Sequence, residues 1–200
     1  MTTLLQINSS LFANDGQSTR LSDHYVDHWR QVNPEGHVRV RDLAAEPVPH
    51  LDGERFQALV TPVEERTEAQ RAVVAFSDAL INEWREADEV VIGLPLYNLG
   101  LPSTLKAYFD HIARSGETFR YTANGPEGLL KDRPVRVLAA RGGQYRGTPL
   151  DTQTGHVSHF LGLLGIRDVQ FVYAEGLAIG EDHKAEALQK AQQAIRQLVA

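Results

Sequence analysis

The sequence predicts an α/β fold with one five-stranded parallel sheet between two layers of helices. Segments with strand-like and helix-like patterns alternate along all 200 residues. The strand-like segments include short, continuous apolar runs such as 89–92, which are typical of strands buried on both faces. Parallel strands must be joined by crossovers, and helical crossovers cover both faces of a sheet. Because no repeat, low-complexity tract or linker interrupts the alternation, residues 1–200 are predicted to form a single domain.

The first third of the chain contains two predicted strands and one helix. The apolar run at 4–8 predicts the first strand. A polar loop follows, and then a helix is predicted from about 18 to 32 because apolar side chains recur on one face. These side chains are Leu21, Tyr25, Trp29 and Val32. The alternating segment 38–41 predicts a second strand near an edge of the sheet. The segment 43–66 contains three prolines and is predicted to be a loop, and long loops are often functional.

The remaining elements continue the alternation. A helix is predicted at 67–86, and its apolar stripe consists of Val73, Phe76, Leu80 and Trp84. The third strand, 89–94, leads into a helix at 102–113, where Pro102 suits the first turn because its missing N–H would have no partner there. An excursion at 115–132 precedes the last four elements. These are a strand at 135–139, a helix at 155–164, a strand at 169–173 and a helix at 181–199.

Three loops with unusual composition are predicted to meet at one edge of the sheet. The alternation favours the strand order 2-1-3-4-5, the flavodoxin-like arrangement, and ligands bind at its switch point between strands 1 and 3. The loop 9–18 leads into a helix N-terminus, where free N–H groups and the Ser18 and Thr19 hydroxyls favour an anion. The loop 93–102 offers main-chain groups and an apolar seat for a flat ring. The segment 140–143 contains paired glycines, which let a ligand approach the backbone.

Each of these loops also has a simpler structural interpretation. The first fits a helix that is capped at Ser18 beside a solvated loop. The second fits a core-packing turn, and the third fits a turn that ends a strand. Arg20 favours an anion nearby, because a cation is otherwise unfavourable in the first turn of a helix, whereas Asp15 argues against one. The convergence of all three loops at one switch point favours a ligand site, and a flat, hydrogen-bonding flavin matches their chemistry.

Composition and motifs exclude several function classes. The formal net charge of −6 argues against nucleic acid or an anionic membrane as a partner. The chain has no cysteine, which excludes disulfides and thiolate chemistry and agrees with a reducing compartment. It has neither a secretory signal nor an apolar run of roughly 20 residues, so a cytoplasmic protein without a membrane span is expected. His24 and His28 lack a third ligand, so no metal site is predicted. P-loop, dinucleotide-fingerprint and hydrolase-elbow motifs are absent.

At these residues the sequence closely resembles the bacterial FMN-dependent NADH-azoreductases, which also act as quinone reductases. The resemblance covers nearly the whole chain and rests on specific motifs. They are Arg41-Asp-Leu-Ala-Ala45, Pro95-Leu-Tyr-Asn98, the segment 118–129, Arg141-Gly-Gly143, Phe160-Leu-Gly162, Gly165-Ile166 and Ala174-Glu-Gly-Leu177. The resemblance implies a flavodoxin-like three-layer sandwich, a homodimer, one bound FMN per subunit near the dimer interface, and NADH as a transient co-substrate.

The resemblance also implies which residues hold the cofactor. The residues that correspond to the phosphate loop are Ser10, Gly16, Gln17 and Ser18. Those that correspond to the isoalloxazine loop are Leu96, Tyr97, Asn98 and Leu99. Those beside the pyrimidine end of the flavin are Ala140, Arg141, Gly142 and Gly143. Gly16 and Ala140 stand where relatives often have serine, and Leu99 replaces an aromatic residue. FMN binding is still expected, whereas the substrate preference stays open.

The implied reaction consists of two half-reactions at one site. A nicotinamide passes hydride to the flavin and leaves, and a quinone or an azo compound then takes its place. Because the cofactor carries this chemistry, no catalytic side chain is predicted. Phe119, Tyr121 and Phe160 are the predicted aromatic walls around a planar acceptor, and ordinary core or dimer packing explains them equally well. Two other functions stay open, namely a flavodoxin-type electron carrier with protein partners and a regulatory module without cofactor.

Overall fold

The computed structural model describes residues 2–199, which contain seven strands and six α-helices. In chain order they are β1 (Thr3–Asn8), α1 (Gln17–Val32), β2 (His37–Asp42), α2 (Gly53–Val60), α3 (Glu68–Glu86), β3 (Glu89–Pro95), α4 (Ser103–Ile112), β4 (Phe119–Thr122), β5 (Gly125–Gly128), β6 (Val135–Ala140), α5 (Thr152–Leu164), β7 (Val169–Ala174) and α6 (Glu181–Val199). Within these residues, every helix is too short or too polar to cross a lipid bilayer.

Five of the strands form one parallel sheet in the order β2-β1-β3-β6-β7. Counted among the sheet strands alone, this order is 2-1-3-4-5, so the predicted topology is confirmed. The central strand β3 is almost completely buried because it has neighbours on both sides and helices on both faces. The edge strand β2 is only partly covered, which agrees with its alternating sequence.

Two hydrophobic clusters lie on opposite faces of the sheet and make the fold a three-layer sandwich. One cluster joins the sheet to α3, α4 and α5, and the other joins it to α1 and α6. In the first cluster the indole N–H of Trp84 donates to the Tyr108 hydroxyl at 2.7 Å, and both side chains are fully buried. This bond satisfies two polar atoms that would otherwise be costly to bury.

Two helix faces differ slightly from their predicted stripes. Leu21, Tyr25 and Trp29 are buried on α1 as predicted, but Val32, the last residue of the helix, is 60% exposed. The apolar stripe predicted for α3 is rotated toward the solvent relative to the face that the helix buries. Its buried apolar residues are Val74, Leu80, Ile81 and Trp84, whereas Phe76 is partly exposed.

Three segments contain more regular structure than the sequence predicted. The segment 43–66 is not one loop, because Asp52 caps the helix α2 by accepting from the Arg55 N–H at 2.8 Å. The prolines of this segment flank α2 and do not interrupt it. The excursion at 115–132 is an antiparallel hairpin of β4 and β5. The helix α5 begins at Thr152 and not at Gly155, because Asp151 caps it.

Candidate functional site

A cleft of about 210 Å³ opens at the carboxyl ends of β1, β3 and β6. Residues from the loops that follow four strands line it. They are Ser10, Phe12, Gly16, Gln17, Ser18, Pro95, Leu96, Tyr97, Ala140, Arg141, Gly142, Leu177 and Ala178. The structure therefore brings together all the residues predicted to bind the cofactor except Asn98, Leu99 and Gly143. The switch point of the sheet is where the topology requires such a cleft to lie.

The N-terminus of α1 presents unpaired hydrogen-bond donors to this cleft. Gly16 caps the helix without a side-chain bond, and the first intrahelical bond runs from the Arg20 N–H to the Gly16 carbonyl at 3.0 Å. The N–H groups of the first turn before Arg20 thus have no helical acceptor. The Ser18 hydroxyl is buried and has no partner among the described residues. The alternative that Ser18 caps the helix is wrong, because Ser18 lies inside the first turn.

Arg20 does not need an anion to balance its charge. Its guanidinium lies 3.1 Å from the Asp15 carboxylate, and both side chains are largely exposed. The two residues that gave opposing indications in the sequence are therefore partners of one another. A surface pair of this kind contributes little to stability, so the case for an anion rests on the α1 N-terminus.

The loop after β1 is packed tightly against the loop after β3. The Ser10 hydroxyl lies 3.2 Å from the Tyr97 hydroxyl, which also accepts from the Leu11 N–H at 3.3 Å. A Cβ atom at Gly16 would overlap the Ser10 side chain. Glycine at position 16 therefore allows Ser10 to stand directly beside the start of α1.

A tight turn follows β3 and presents its backbone at the edge of the cleft. The Gly100 N–H donates to the Tyr97 carbonyl at 2.9 Å. Between these residues, Asn98 and Leu99 both have positive φ angles, of 50° and 56°. Asparagine tolerates this conformation, but leucine adopts it only when surrounding contacts hold the backbone there.

The loop after β6 is held by a fourth loop that the sequence did not single out. The carbonyls of Arg141, Gly142 and Gly143 accept from the N–H groups of the segment 176–178 at 2.9 to 3.1 Å. Among residues 2–199, no acceptor pairs with the N–H of Gly142 or of Gly143. Two adjacent main-chain donors are therefore available at the rim of the cleft. The motif at 174–177 was the only sequence signal for this fourth loop.

Arg141 lines the cleft through its backbone, and its side chain points into a buried ionic network. The guanidinium lies 2.8 Å from Asp151 and 3.1 Å from Glu175, and it stacks over the Tyr173 ring at 5.0 Å. Burial acts to raise the pKa of Asp151, but hydrogen bonds from Arg141 and Thr154 outweigh it, so this pKa is lowered. The side chain of Arg141 is thus occupied in fixing α5 to the loop.

The three predicted substrate-pocket residues do not line the cleft of a single chain. Phe119 is buried at the base of the hairpin, and Tyr121 beside it is 76% exposed. Phe160 stacks on Phe109 with their ring centroids 4.0 Å apart. Sequence patterns identify these aromatic side chains but cannot show which surface they reach.

A larger cavity of about 510 Å³ lies between α2 and α3. Its lining combines carboxylates, Arg55 and amides with Ala58, Ala69 and Val73, and none of the loops that follow β1, β3, β6 and β7 contributes to it. The smaller cleft is therefore the better site for a ligand that is recognised at a switch point. Among the described residues, no three His, Asp or Glu side chains are grouped to hold a metal ion.

Comparison with known proteins agrees with this geometry. The sequence model of a family with a flavodoxin-like fold matches residues 2–199. A protein from Cellvibrio japonicus (strain Ueda107), named FMN-dependent NADH:quinone oxidoreductase, is 56% identical over 190 residues, which are 95% of this chain and 96% of that protein. A Burkholderia thailandensis protein of the same name is 54% identical over 195 residues, which are 98% of each chain. This chain belongs to the FMN-dependent NADH:quinone oxidoreductases.

A solved structure extends the comparison to this family's cofactor. The FMN-dependent NADH-azoreductase from Bacillus anthracis str. Ames Ancestor, in complex with FMN, matches with a TM-score of 0.90 at 28% identity over 100% of this chain and 98% of that chain. The cleft fits FMN in two respects. The Ser18 hydroxyl and the free N–H groups of α1 suit a phosphate, and the unpaired N–H groups of Gly142 and Gly143 suit an electron-rich ring edge.

Proposed function

We propose that this protein binds FMN in the cleft, oxidises NADH, and reduces quinones to hydroquinones and azo compounds to amines. The observation that carries this proposal is the buried Ser18 hydroxyl, which stands at a helix N-terminus beside the cleft and has no partner within residues 2–199. A buried polar group is normally paired. A phosphate would supply the missing acceptor, the relatives are named as FMN-dependent, and flavodoxin-like folds bind FMN at this switch point.

In this proposal the loops of the cleft bind different parts of FMN. Ser10 and the segment 16–18 hold the phosphate, while 96–99 and 140–143 hold the ring. When bound, FMN supplies the electron-pair acceptor and donor, so no side-chain nucleophile is required. The main-chain donors of Gly142 and Gly143 are fixed in advance by the loop at 176–178, and fixed donors stabilise negative charge without reorganisation.

We also propose that two copies of the chain form a homodimer across the open side of the cleft. A volume of about 210 Å³ is smaller than the roughly 300–1,000 Å³ of sites that enclose an organic ligand. Large apolar side chains are exposed on the loops at the same edge, and they are Leu11, Phe12, Leu99, Leu150 and Ile179. Apolar groups clustered around a cleft favour a protein partner.

A second copy would also allow predicted substrate-pocket residues to reach a substrate in the cleft. Tyr121 and Phe160 lie outside the cleft of their own chain, so they would face a substrate there only from the other subunit, whereas Phe119 is buried in its own chain. Sedimentation velocity tests the dimer. Ile179→Glu is expected to yield monomers, whereas Val32→Glu, which places the same charge at an exposed position at the far end of α1, is expected to leave the dimer intact. A wild-type protein that sediments as a monomer with FMN bound contradicts the dimer.

Anaerobic stopped-flow absorbance tests the proposed reaction. Purified protein is expected to be yellow, to be bleached by NADH, and to regain its colour when a quinone or an azo dye is added. Initial rates measured across both substrates are expected to give the parallel-line pattern of a ping-pong reaction. Parallel runs with NADPH measure the nicotinamide preference. A yellow protein that NADH does not bleach would indicate an electron carrier, and a colourless protein that binds no added FMN would indicate a module without cofactor.

We place this activity in the cytoplasm, because the proposed electron donor is a soluble metabolite of that compartment. Fractionation of the native cells tests the location, with activity expected in the soluble cytoplasmic fraction. Recovery of the protein from the periplasm or the membrane fraction contradicts it.

A further inference from the structure

The turn after β3 has a backbone conformation that its own sequence does not favour. Asn98 and Leu99 occupy the two central positions, and both have positive φ angles. A type I′ turn has this pattern, and its preferred sequence is Asn-Gly. Leucine at the second position is unfavourable there, because its Cβ crowds the backbone. The turn therefore depends on contacts from outside to keep its shape.

Two consecutive residues at the start of α5 provide these contacts. The side-chain amide of Gln153 donates to the Pro95 carbonyl at 2.8 Å and to the Gly100 carbonyl at 3.0 Å. The Thr152 hydroxyl donates to the Leu99 carbonyl. The carbonyl of Pro95, before the turn, and those of Leu99 and Gly100, within it, are thus all bound from α5, which lies more than 50 residues later in the chain.

The buried surroundings of Gln153 determine the orientation of its side chain. It is fully buried, and its Nε2 faces two carbonyl oxygens, so a flipped amide would bring its oxygen against both of them. Its Oε1 has no hydrogen-bond partner among the described residues. An amide that leaves its own oxygen unpaired while both N–H groups serve one turn is poorly explained by stability alone.

The same turn of α5 is also tied to the loop after β6. Asp151 caps α5 and accepts from the Arg141 guanidinium at 2.8 Å. The start of α5 therefore joins the two loops that are proposed to hold the flavin ring. Gln153 itself does not line the cleft, so any effect it has on a ligand acts through the turn.

We propose that Gln153 is a positioning residue that holds the turn 97–100 in its binding conformation, with Thr152 as a second support. The proposal rests on the proposed function, because the turn is taken to seat the flavin ring. If Gln153 no longer donates, the fraction of molecules with the binding turn falls, and the apparent dissociation constant of FMN rises in inverse proportion.

Gln153→Met tests this proposal, because it keeps the length of the side chain and removes both donors. Hydrogen exchange of the Gly100 N–H in the apoprotein reports the turn without any flavin, and fluorescence titration gives the dissociation constant of FMN. If a tenth of the molecules keep the turn, the dissociation constant of FMN is expected to rise about tenfold. Exchange of the Gly100 N–H occurs from the open turn, so it is expected to accelerate by the ratio of the open fractions of the variant and the wild type. Gln193→Met, an exposed substitution on α6, is the matched control and is expected to change neither.

A double-mutant cycle separates positioning from general damage to α5. Leu99→Gly creates the Asn-Gly sequence, which forms the turn without support. In that background Gln153→Met is expected to change FMN affinity by less than about threefold, because the two substitutions act on one element. A role for Gln153 in the folding of α5 alone would not be relieved in this way. An undiminished effect of Gln153→Met in the Leu99→Gly chain therefore overturns the proposal.

Thr152→Val provides a second test at an exposed position, where folding is not at risk. Like Gln153→Met, it is expected to accelerate hydrogen exchange of the Gly100 N–H and to weaken FMN binding. Unchanged Gly100 exchange in the Thr152 and Gln153 variants also overturns the proposal. The proposed function and the role of Gln153 can be refuted separately. Wild-type protein that binds no FMN refutes the proposed function, while the exchange of Gly100 in the apoprotein still decides whether Gln153 holds the turn.

Discussion

Removal of the Ser18 hydroxyl is expected to have opposite effects on folding and on cofactor binding. This hydroxyl is buried without a partner in the part of the chain that the structure describes, and such a group costs about 1–3 kcal/mol. Ser18→Ala removes that cost, and alanine is also the better helix former. The free energy of unfolding of the apoprotein is therefore expected to rise by about 1 kcal/mol.

The same substitution is expected to weaken FMN binding. A hydrogen bond to a charged group contributes about 1.5–3 kcal/mol. Its loss from a phosphate would raise the dissociation constant about 10- to 150-fold, since each 1.4 kcal/mol is a factor of ten. Urea denaturation of the apoprotein measures the first effect, and quenching of flavin fluorescence on binding measures the second.

Thr19→Val is the matched control for this experiment. The Thr19 hydroxyl is also buried without a partner among the described residues, but Thr19 does not line the cleft. Its loss is expected to stabilise the apoprotein and to leave FMN affinity within about threefold, because no bond to the ligand is removed. A Ser18→Ala protein that binds FMN as tightly as wild type, or whose apoprotein is less stable, would refute the assignment of this hydroxyl to the phosphate.

Three further substitutions test the packing around the site and in the core. Gly16→Ser is expected to destabilise the apoprotein by about 1–3 kcal/mol, because its Cβ overlaps the Ser10 side chain. Trp84→Phe is expected to cost about 2–4 kcal/mol, since it leaves a small cavity and an unpaired Tyr108 hydroxyl. Burial lowers the pKa of His111 below 6.5, so the unfolded chain binds more protons than the folded one below that pH. Stability is expected to fall as the pH falls below 6.5, and His111→Phe is expected to flatten this dependence.

Denaturant titrations measure the stability of all three variants, and each variant has its own control. Ser10→Gly in the Gly16→Ser chain is expected to restore part of the lost stability. Tyr108→Phe in the Trp84→Phe chain is expected to do the same, because no buried hydroxyl remains. An unchanged midpoint for either single variant contradicts the packing argument. For His111, the exposed His37→Asn is the comparison, and a pH dependence that both variants retain equally contradicts the role given to burial.

The sequence by itself determined the order of the sheet and the edge that carries the site. Alternating apolar runs and helical stripes are local patterns, and right-handed crossovers leave few ways to connect five parallel strands. The loops at 9–18, 93–102 and 140–143 therefore had to meet, and the structure brings them together in one cleft. The helix α2 was missed because it has only eight residues and prolines flank it on both sides.

Only the tertiary structure decided what individual side chains do at that edge. Arg141 faces Asp151 and Glu175 and is not free to bind a ligand. Gln153 supports a turn more than 50 residues before it in the chain. Among residues 2–199, Ser18 keeps a buried hydroxyl without a hydrogen-bond partner. Residue spacing encodes periodic structure, whereas burial and hydrogen-bond partners depend on segments that are distant in sequence and become neighbours only when the chain is folded.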